Sequence, residues 1–283
     1  MRYTTLIDAK TLARQLNSGW CIFDCRFALS DPSAGERAYA AGHIPGARYL
    51  HLDRDLASPV TPASGRHPLP DAEILAAKLA GAGVGADTQV VAYDDAAGAF
   101  AARLWWLLRW LGHPQVAVLD GGWAEWLREG RPVSHEPPPE SARGNFRARP
   151  DDRKWLSSGS VLRRVHAGIG RLLDARAAER FRGEQEPIDA VAGHVPSAVN
   201  LPYLGNISGN GRFQSAETLR TRFLAAFAGA ASGETVCMCG SGVTACHNLL
   251  AMEVAGLSGG RLYAGSWSEW IRDPSRPVAR GPW

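Results

Sequence analysis

The chain has 283 residues, enough for one large domain or two of ordinary size. Apolar residues make up 45% and charged residues 21%, the balance of a globular protein that buries a substantial core. A formal net charge of +3 without any Lys/Arg block argues against a nucleic-acid partner, and the lack of an apolar run of about 18 residues argues against a membrane partner.

The N-terminal stretch MRYTTLIDAKTLARQLNSGW has neither the apolar run nor the small-residue cleavage site of a secretory signal, so a cytoplasmic protein is expected. Residues 21–23, Val90–Tyr93 and Val116–Leu119 are short apolar runs of the kind buried strands show. Between the last two, residues 100–111 carry apolar side chains at helical spacing, with Gly112 as the stop. The segment from His135 to Ser141 is polar and contains three consecutive prolines, which predicts an extended, exposed linker. Beyond it, residues 171–173, Thr235–Met238 and Arg261–Tyr263 read as strands, and residues 243–254 as a helix closed by Gly256. Strands alternating with helices predict an α/β fold whose mostly parallel sheets are flanked by helices.

The two halves repeat each other. Phe23-Asp24-Cys25-Arg26 answers to Leu173-Asp174-Ala175-Arg176 at an offset of 150. Gly42-His43-Ile44-Pro45-Gly46-Ala47 answers to Gly193-His194-Val195-Pro196-Ser197-Ala198 at 151, and Gly121-Gly122-Trp123 to Gly265-Ser266-Trp267 at 144. Order kept and offset nearly constant indicate two homologous domains, at 1–135 and 151–283, joined by a linker at 136–150. Asp24, Arg26 and His43 recur as Asp174, Arg176 and His194, and residues common to both copies are read as scaffold.

Chemistry concentrates where the copies differ. Three of the five cysteines fall between Cys237 and Cys246, and an odd total does not make a disulfide framework. Cys239 follows a strand end and opens the loop Gly240-Ser241-Gly242, with a helix starting near Val243 and Thr244. Glycines there let the backbone N–H groups curl inward into an anion-binding nest, and a helix N-terminus adds partial positive charge. A cysteine at its mouth is a candidate nucleophile. Aligning Val90–Tyr93 with Thr235–Met238 sets Asp94 opposite Cys239, so the first copy lacks the thiol.

The segment from Cys239 to Ala245 resembles the active-site loop of the rhodanese superfamily, in its 3-mercaptopyruvate sulfurtransferase branch. The Gly-His-Ile/Val-Pro segments and the tryptophans after the glycine pairs resemble the same superfamily, so the likeness spans nearly the whole chain. The resemblance implies two tandem rhodanese-like domains, the first silent and lining one wall of a cleft. It also implies sulfur transfer through a Cys239 persulfide, without cofactor or metal, from a small anionic donor to an acceptor. That acceptor would be a small thiol, a thioredoxin-like protein or cyanide. It implies further that Gly240, Gly242, Val243 and Thr244 hold the donor at the loop. Neutral Gly240 and Ser241 favour 3-mercaptopyruvate over dianionic thiosulfate. Arg180 matches one arginine of the family's carboxylate clamp, whereas Ile188 stands where the second is expected. Ser241, His67 and Asp55 match a serine–histidine–aspartate relay, with Asp53 as the alternative carboxylate.

Three rival readings fit less well. A cysteine phosphatase needs an arginine shortly after the cysteine, and none occurs from Gly240 to Gly260. A metal site of Cys237, Cys239, Cys246 and His247 lacks the usual ligand spacing. A non-catalytic binding module on the same scaffold is not suggested by a loop that keeps its nucleophile.

Overall fold

The computed structural model describes residues 2–282. In the first half the strands are β1 (Leu6–Ile7), β2 (Cys21–Asp24), β3 (Arg48–Tyr49), β4 (Val90–Tyr93) and β5 (Val116–Leu119). They form one sheet in the order β1-β5-β4-β2-β3, and every pairing is parallel. Helices α1 (Ala9–Ala13), α2 (Ala34–Ala41), α3 (Leu52–Asp55), α4 (Ala72–Gly81), α5 (Ala101–Trp110) and α6 (Gly122–Arg128) accompany it. The second half repeats the plan with β6 (Trp155–Leu156), β7 (Arg171–Asp174), β8 (Val199–Asn200), β9 (Thr235–Met238) and β10 (Arg261–Tyr263). Their order, β6-β10-β9-β7-β8, is the same order one copy later, again all parallel. Its helices are α7 (Ser158–Ala167), α8 (Ala178–Arg182), α9 (Ala216–Phe227), α10 (Thr244–Val254) and α11 (Ser266–Trp270).

Central strands β4, β5 and β9 are buried at every position, which is why they read as unbroken apolar runs rather than alternating ones. Each half has its own buried apolar cluster. One includes Ile22, Val91, Tyr93 and Trp126, the other Leu172, Val236, Tyr263 and Trp270.

The repeated polar residues build matching braces. Asp24 receives Arg26 at 2.6 Å, and Arg26 also donates to Gly42 O at 2.7 Å and lies over the Trp123 ring. Asp174 and Arg176 pair at 2.7 Å, Arg176 donates to Gly193 O at 2.8 Å, and its guanidinium lies over Trp267. Both pairs are buried, tying the end of a central strand to the Gly-His loop. Such charges are tolerated in a core because each is paired and hydrogen-bonded.

Two compact units result, but the chain does not divide cleanly at one linker. The first comprises residues up to Ser58, Leu69–Asp151 and Gly209–Phe213; the second comprises Pro59–Pro68, Asp152–Ser208 and the chain from Gln214 on. Residues 136–150 are extended, as their prolines predict, yet they are strapped to the first unit. Gly144, Phe146 and Arg149 donate backbone N–H groups to Ala80 O, Val84 O and Leu111 O at 2.8, 3.2 and 2.9 Å. The inclusion of residues 59–68 in the second unit brings His67 and its neighbour Arg66 into the unit that holds Cys239.

Candidate active site

Strand β9 ends at Met238, and the chain turns sharply through Cys239, Gly240, Ser241 and Gly242 before α10 begins at Thr244. The N-terminal end of α11 braces this turn. Ser266 Oγ accepts from Cys239 N at 3.0 Å, while Trp267 N and Ser268 N donate to Cys239 O and Gly240 O at 3.0 and 2.9 Å. Ser266 holds this position at a left-handed φ of 54°, strained for a serine, and its hydroxyl is also tied to Tyr263 O at 2.8 Å. Gly242 has φ 79°, and a Cβ there would stand 2.3 Å from Ala264 O, so only glycine fits. Its N–H donates to Cys239 Sγ at 3.1 Å. The sulfur therefore lies over an inward-facing amide, beside the N-terminus of an eleven-residue helix. Val243 is buried against the loop's base, and Thr244 is the first residue of α10.

Within the same unit, His67 Nδ1 lies 2.7 Å from Ser241 Oγ, with both residues buried. The backbone of the adjoining Arg66 is fixed by its N–H to Ser268 Oγ at 2.9 Å, so α11 positions the histidine segment and the cysteine loop together. Asp55 belongs to the first unit, where Oδ2 accepts from His51 N at 2.7 Å and Oδ1 pairs with Lys78 Nζ.

Arg180, on α8, approaches the loop from the other side. Its Nε is held by Glu186 Oε1 at 3.0 Å and its Nη2 by Asp189 Oδ2 at 2.8 Å. Glu186 also faces Arg176 at 3.5 Å, so the brace beneath the strand continues into the site. Ile188 is exposed and does not take an arginine's place. A Cβ on Gly240 would meet Arg66 Nη2 at 3.1 Å and Arg180 Nη1 at 3.6 Å. Two guanidiniums thus flank the residue after Cys239, although the loop from Gly240 to Thr244 carries no charged side chain.

A family model described as the Rhodanese-like domain matches residues 8–129 and again 157–273. This chain belongs to the rhodanese family. It is 49% identical over 285 residues to a probable 3-mercaptopyruvate sulfurtransferase of Pseudomonas aeruginosa, covering 99% of this chain and all of that protein. It is 33% identical over 294 residues to the thiosulfate sulfurtransferase of Rattus norvegicus, with 99% of this chain and 96% of that one covered. Among solved structures, the 3-mercaptopyruvate sulfurtransferase from Leishmania major superposes with a TM-score of 0.83 at 30% identity, over 96% of this chain and 76% of that one.

The first rhodanese copy clarifies the second. Asp94, at the position of Cys239, folds its carboxylate into its own loop and accepts from Ala96 N, Gly98 N, Phe100 N and Ala101 N at 2.9, 2.8, 2.8 and 2.8 Å. Burial pushes this carboxyl above the usual carboxylate range, against the pull of the four amides. Four loop amides thus converge on Asp94 in the first copy, and in the second the Gly242 amide is turned toward Cys239 Sγ.

Four residues of the site escape motif reading: Arg66, Asp189, Ser266 and Ser268. A signal for the serines exists in the repeat itself, because Gly122 and Ala124 of the first copy become Ser266 and Ser268 in the copy that carries the thiol. Arg66 and Asp189 sit in loops whose destinations only the fold reveals. Among the described residues no group of three His, Cys, Asp or Glu side chains converges as a metal site. Nor is any helix long and apolar enough to cross a membrane.

Proposed function

We propose that this rhodanese moves the thiol sulfur of 3-mercaptopyruvate to a thiol or cyanide, carrying it in between as the outer sulfur of a persulfide on Cys239. The carrying observation is the placement of Cys239 Sγ 3.1 Å from Gly242 N, with the Ser241–His67 pair, 2.7 Å apart, on the same turn. The Cys239 thiolate attacks the donor sulfur, an S–S bond forms, and the C–S bond breaks with its electron pair passing to carbon. That carbanion, an enolate of pyruvate, takes a proton delivered by Ser241, which His67 resupplies. An acceptor thiolate then attacks the outer sulfur and releases Cys239 as thiolate. Amides of the loop at Gly240, Gly242, Val243 and Thr244 hold the anionic sulfur meanwhile.

The charge pattern supports a monoanionic donor. Arg66, Arg176 and Arg180 are matched by Asp174, Glu186 and Asp189, so the site offers directed N–H groups with little surplus positive charge. A carboxylate gains most from such donors, whereas a dianion needs net charge as well. Within the first unit both oxygens of Asp55 are engaged, by His51 N and by Lys78 Nζ, and Asp53 is the alternative carboxylate of the relay. Asp53→Asn and Asp55→Asn, compared in turnover, separate the two.

The test is intact mass after brief exposure of the reduced protein to 3-mercaptopyruvate, with Cys239→Ser beside it. A gain of one sulfur in the wild type and none in the variant is expected. A gain from thiosulfate but not from 3-mercaptopyruvate would overturn the donor assignment. A gain that survives Cys239→Ser would overturn the site.

A further inference from the structure

Arg66 enters the site from a segment distant in sequence from both the cysteine loop and α8. Its Nη1 donates to Asp189 Oδ1 at 2.7 Å, and Asp189 Oδ2 takes Arg180 Nη2 at 2.8 Å. One carboxylate thus spaces two guanidiniums. The Asp189 side chain is only 4% exposed, and the residue is steadied by its own N–H to Glu186 Oε1 at 3.1 Å, so the spacing is fixed. What remains of each arginine faces the loop: Arg66 Nη2 and Arg180 Nη1 are the atoms nearest to where a Cβ on Gly240 would stand. Arg66 Nε is buried and has no partner among the described residues. A buried guanidinium N–H left unpaired is costly and is normally seen where a ligand or water completes it.

We infer that Arg66 is a substrate-binding residue, which with Arg180 forms a two-arginine fork for the donor's carboxylate, and that Asp189 is the residue positioning both arms. This rests on the donor reading above and deepens it. Glycine at 240 is part of the device, since any side chain there would occupy the space the fork opens onto. The absence of an arginine at position 188 is thereby made good from residues 59–68, by a guanidinium delivered beside His67. Two parallel N–H donors match the two oxygens of a carboxylate and fix its orientation as well as its affinity.

The test measures binding of pyruvate, a carboxylate probe that needs no chemistry at Cys239. Its dissociation constant is taken by NMR titration of the wild type, Arg66→Met, Arg66→Lys and Arg180→Met. The backbone tie from Arg66 N to Ser268 Oγ survives these side-chain changes, and an intact Cys239 loop is checked by whether inorganic polysulfide, which has no carboxylate, still adds sulfur to Cys239. Loss of one charge-assisted bond predicts pyruvate binding weakened about tenfold or more in Arg66→Met and in Arg180→Met, with Arg66→Lys intermediate and Cys239 still able to take up sulfur from polysulfide. Arg66→Met binding pyruvate as tightly as wild type overturns the proposal, as does a wild type that does not bind pyruvate. Pyruvate binding with the expected losses, but no turnover of 3-mercaptopyruvate, keeps the fork and discards the donor assignment instead.

Discussion

Gly242→Ala tests the loop's geometry most directly. The position has φ 79°, and the added methyl would stand 2.3 Å from Ala264 O and 3.0 Å from Ala264 C. Both obstacles are backbone atoms of the segment entering α11, so no side-chain rotation relieves them. Holding alanine in the left-handed region costs about 1–2 kcal/mol. Overpacking against fixed neighbours adds about 1–3 kcal/mol, for a total near 2–5 kcal/mol. To escape, the 242 amide must swing, and that amide is the one aimed at Cys239 Sγ. Losing one donor of this type slows the anionic step by roughly 10²–10³-fold. The assay pairs urea unfolding with the rate of persulfide loading followed by quenched intact mass. Gly240→Ala is the contrast, because its new methyl meets only the ends of two arginine side chains, at 3.1 Å and beyond. It should leave the urea midpoint nearly unchanged while raising KM for 3-mercaptopyruvate. A Gly242→Ala protein as stable as wild type and loading at the same rate would refute the argument.

Ser241→Ala and His67→Gln should each lower kcat with 3-mercaptopyruvate by about 10²–10⁴-fold, and the double variant should be no worse, since the two act as one unit. A double variant showing the product of the single losses would argue for separate roles. Cys237 faces Met252 Sδ at 3.9 Å, and burial pushes its thiol far above the ordinary range. Cys237→Ala is therefore expected to leave persulfide loading intact and to cost about 1 kcal/mol of stability in a denaturant titration. In the first unit Glu125 is held at about 2, chiefly by Arg128, with Arg212 adding to it. A carboxyl depressed in the folded state stabilises above its unfolded pKa and loses that contribution as pH falls toward 2. Glu125→Gln should thus be less stable than wild type at pH 7, by about 1 kcal/mol because the Arg128 side chain is mostly solvent-exposed and screened, with the two unfolding curves converging as pH falls below 2.

Much of this architecture was legible in the sequence because its strongest signals are local. β4, β5 and β9 announce themselves as unbroken apolar runs with both faces covered. Cys239, Gly240 and Gly242 carry the loop within one short motif. What stayed hidden is long-range or small. Edge strands β1, β3, β6 and β8 have two residues each, too few for any periodicity. Nothing in Pro59–Pro68 shows that it joins the second unit, so Arg66 read as a mere neighbour of His67. Asp189 looks like any surface acid in a polar loop until Arg66 and Arg180 are found on its two oxygens. The neutrality of Gly240 and Ser241 led to the expectation of a monoanionic donor, but it gave no sign of the guanidiniums of Arg66 and Arg180 that the fold brings beside Gly240.

Asp94 gives the duplicated loop a second use. A carboxylate covalently fixed among four amides is an occupant that can neither leave nor be exchanged. The first copy is in effect a still photograph of a filled nest, while on the proposed persulfide cycle its twin would alternate between empty and full with every turnover. Hydrogen exchange makes the comparison measurable: amides 96–101 should be slow at all times, and amides 240–244 should slow toward them only once Cys239 carries its extra sulfur. The same backbone bend would then serve one copy as permanent ballast and the other as a breathing grip.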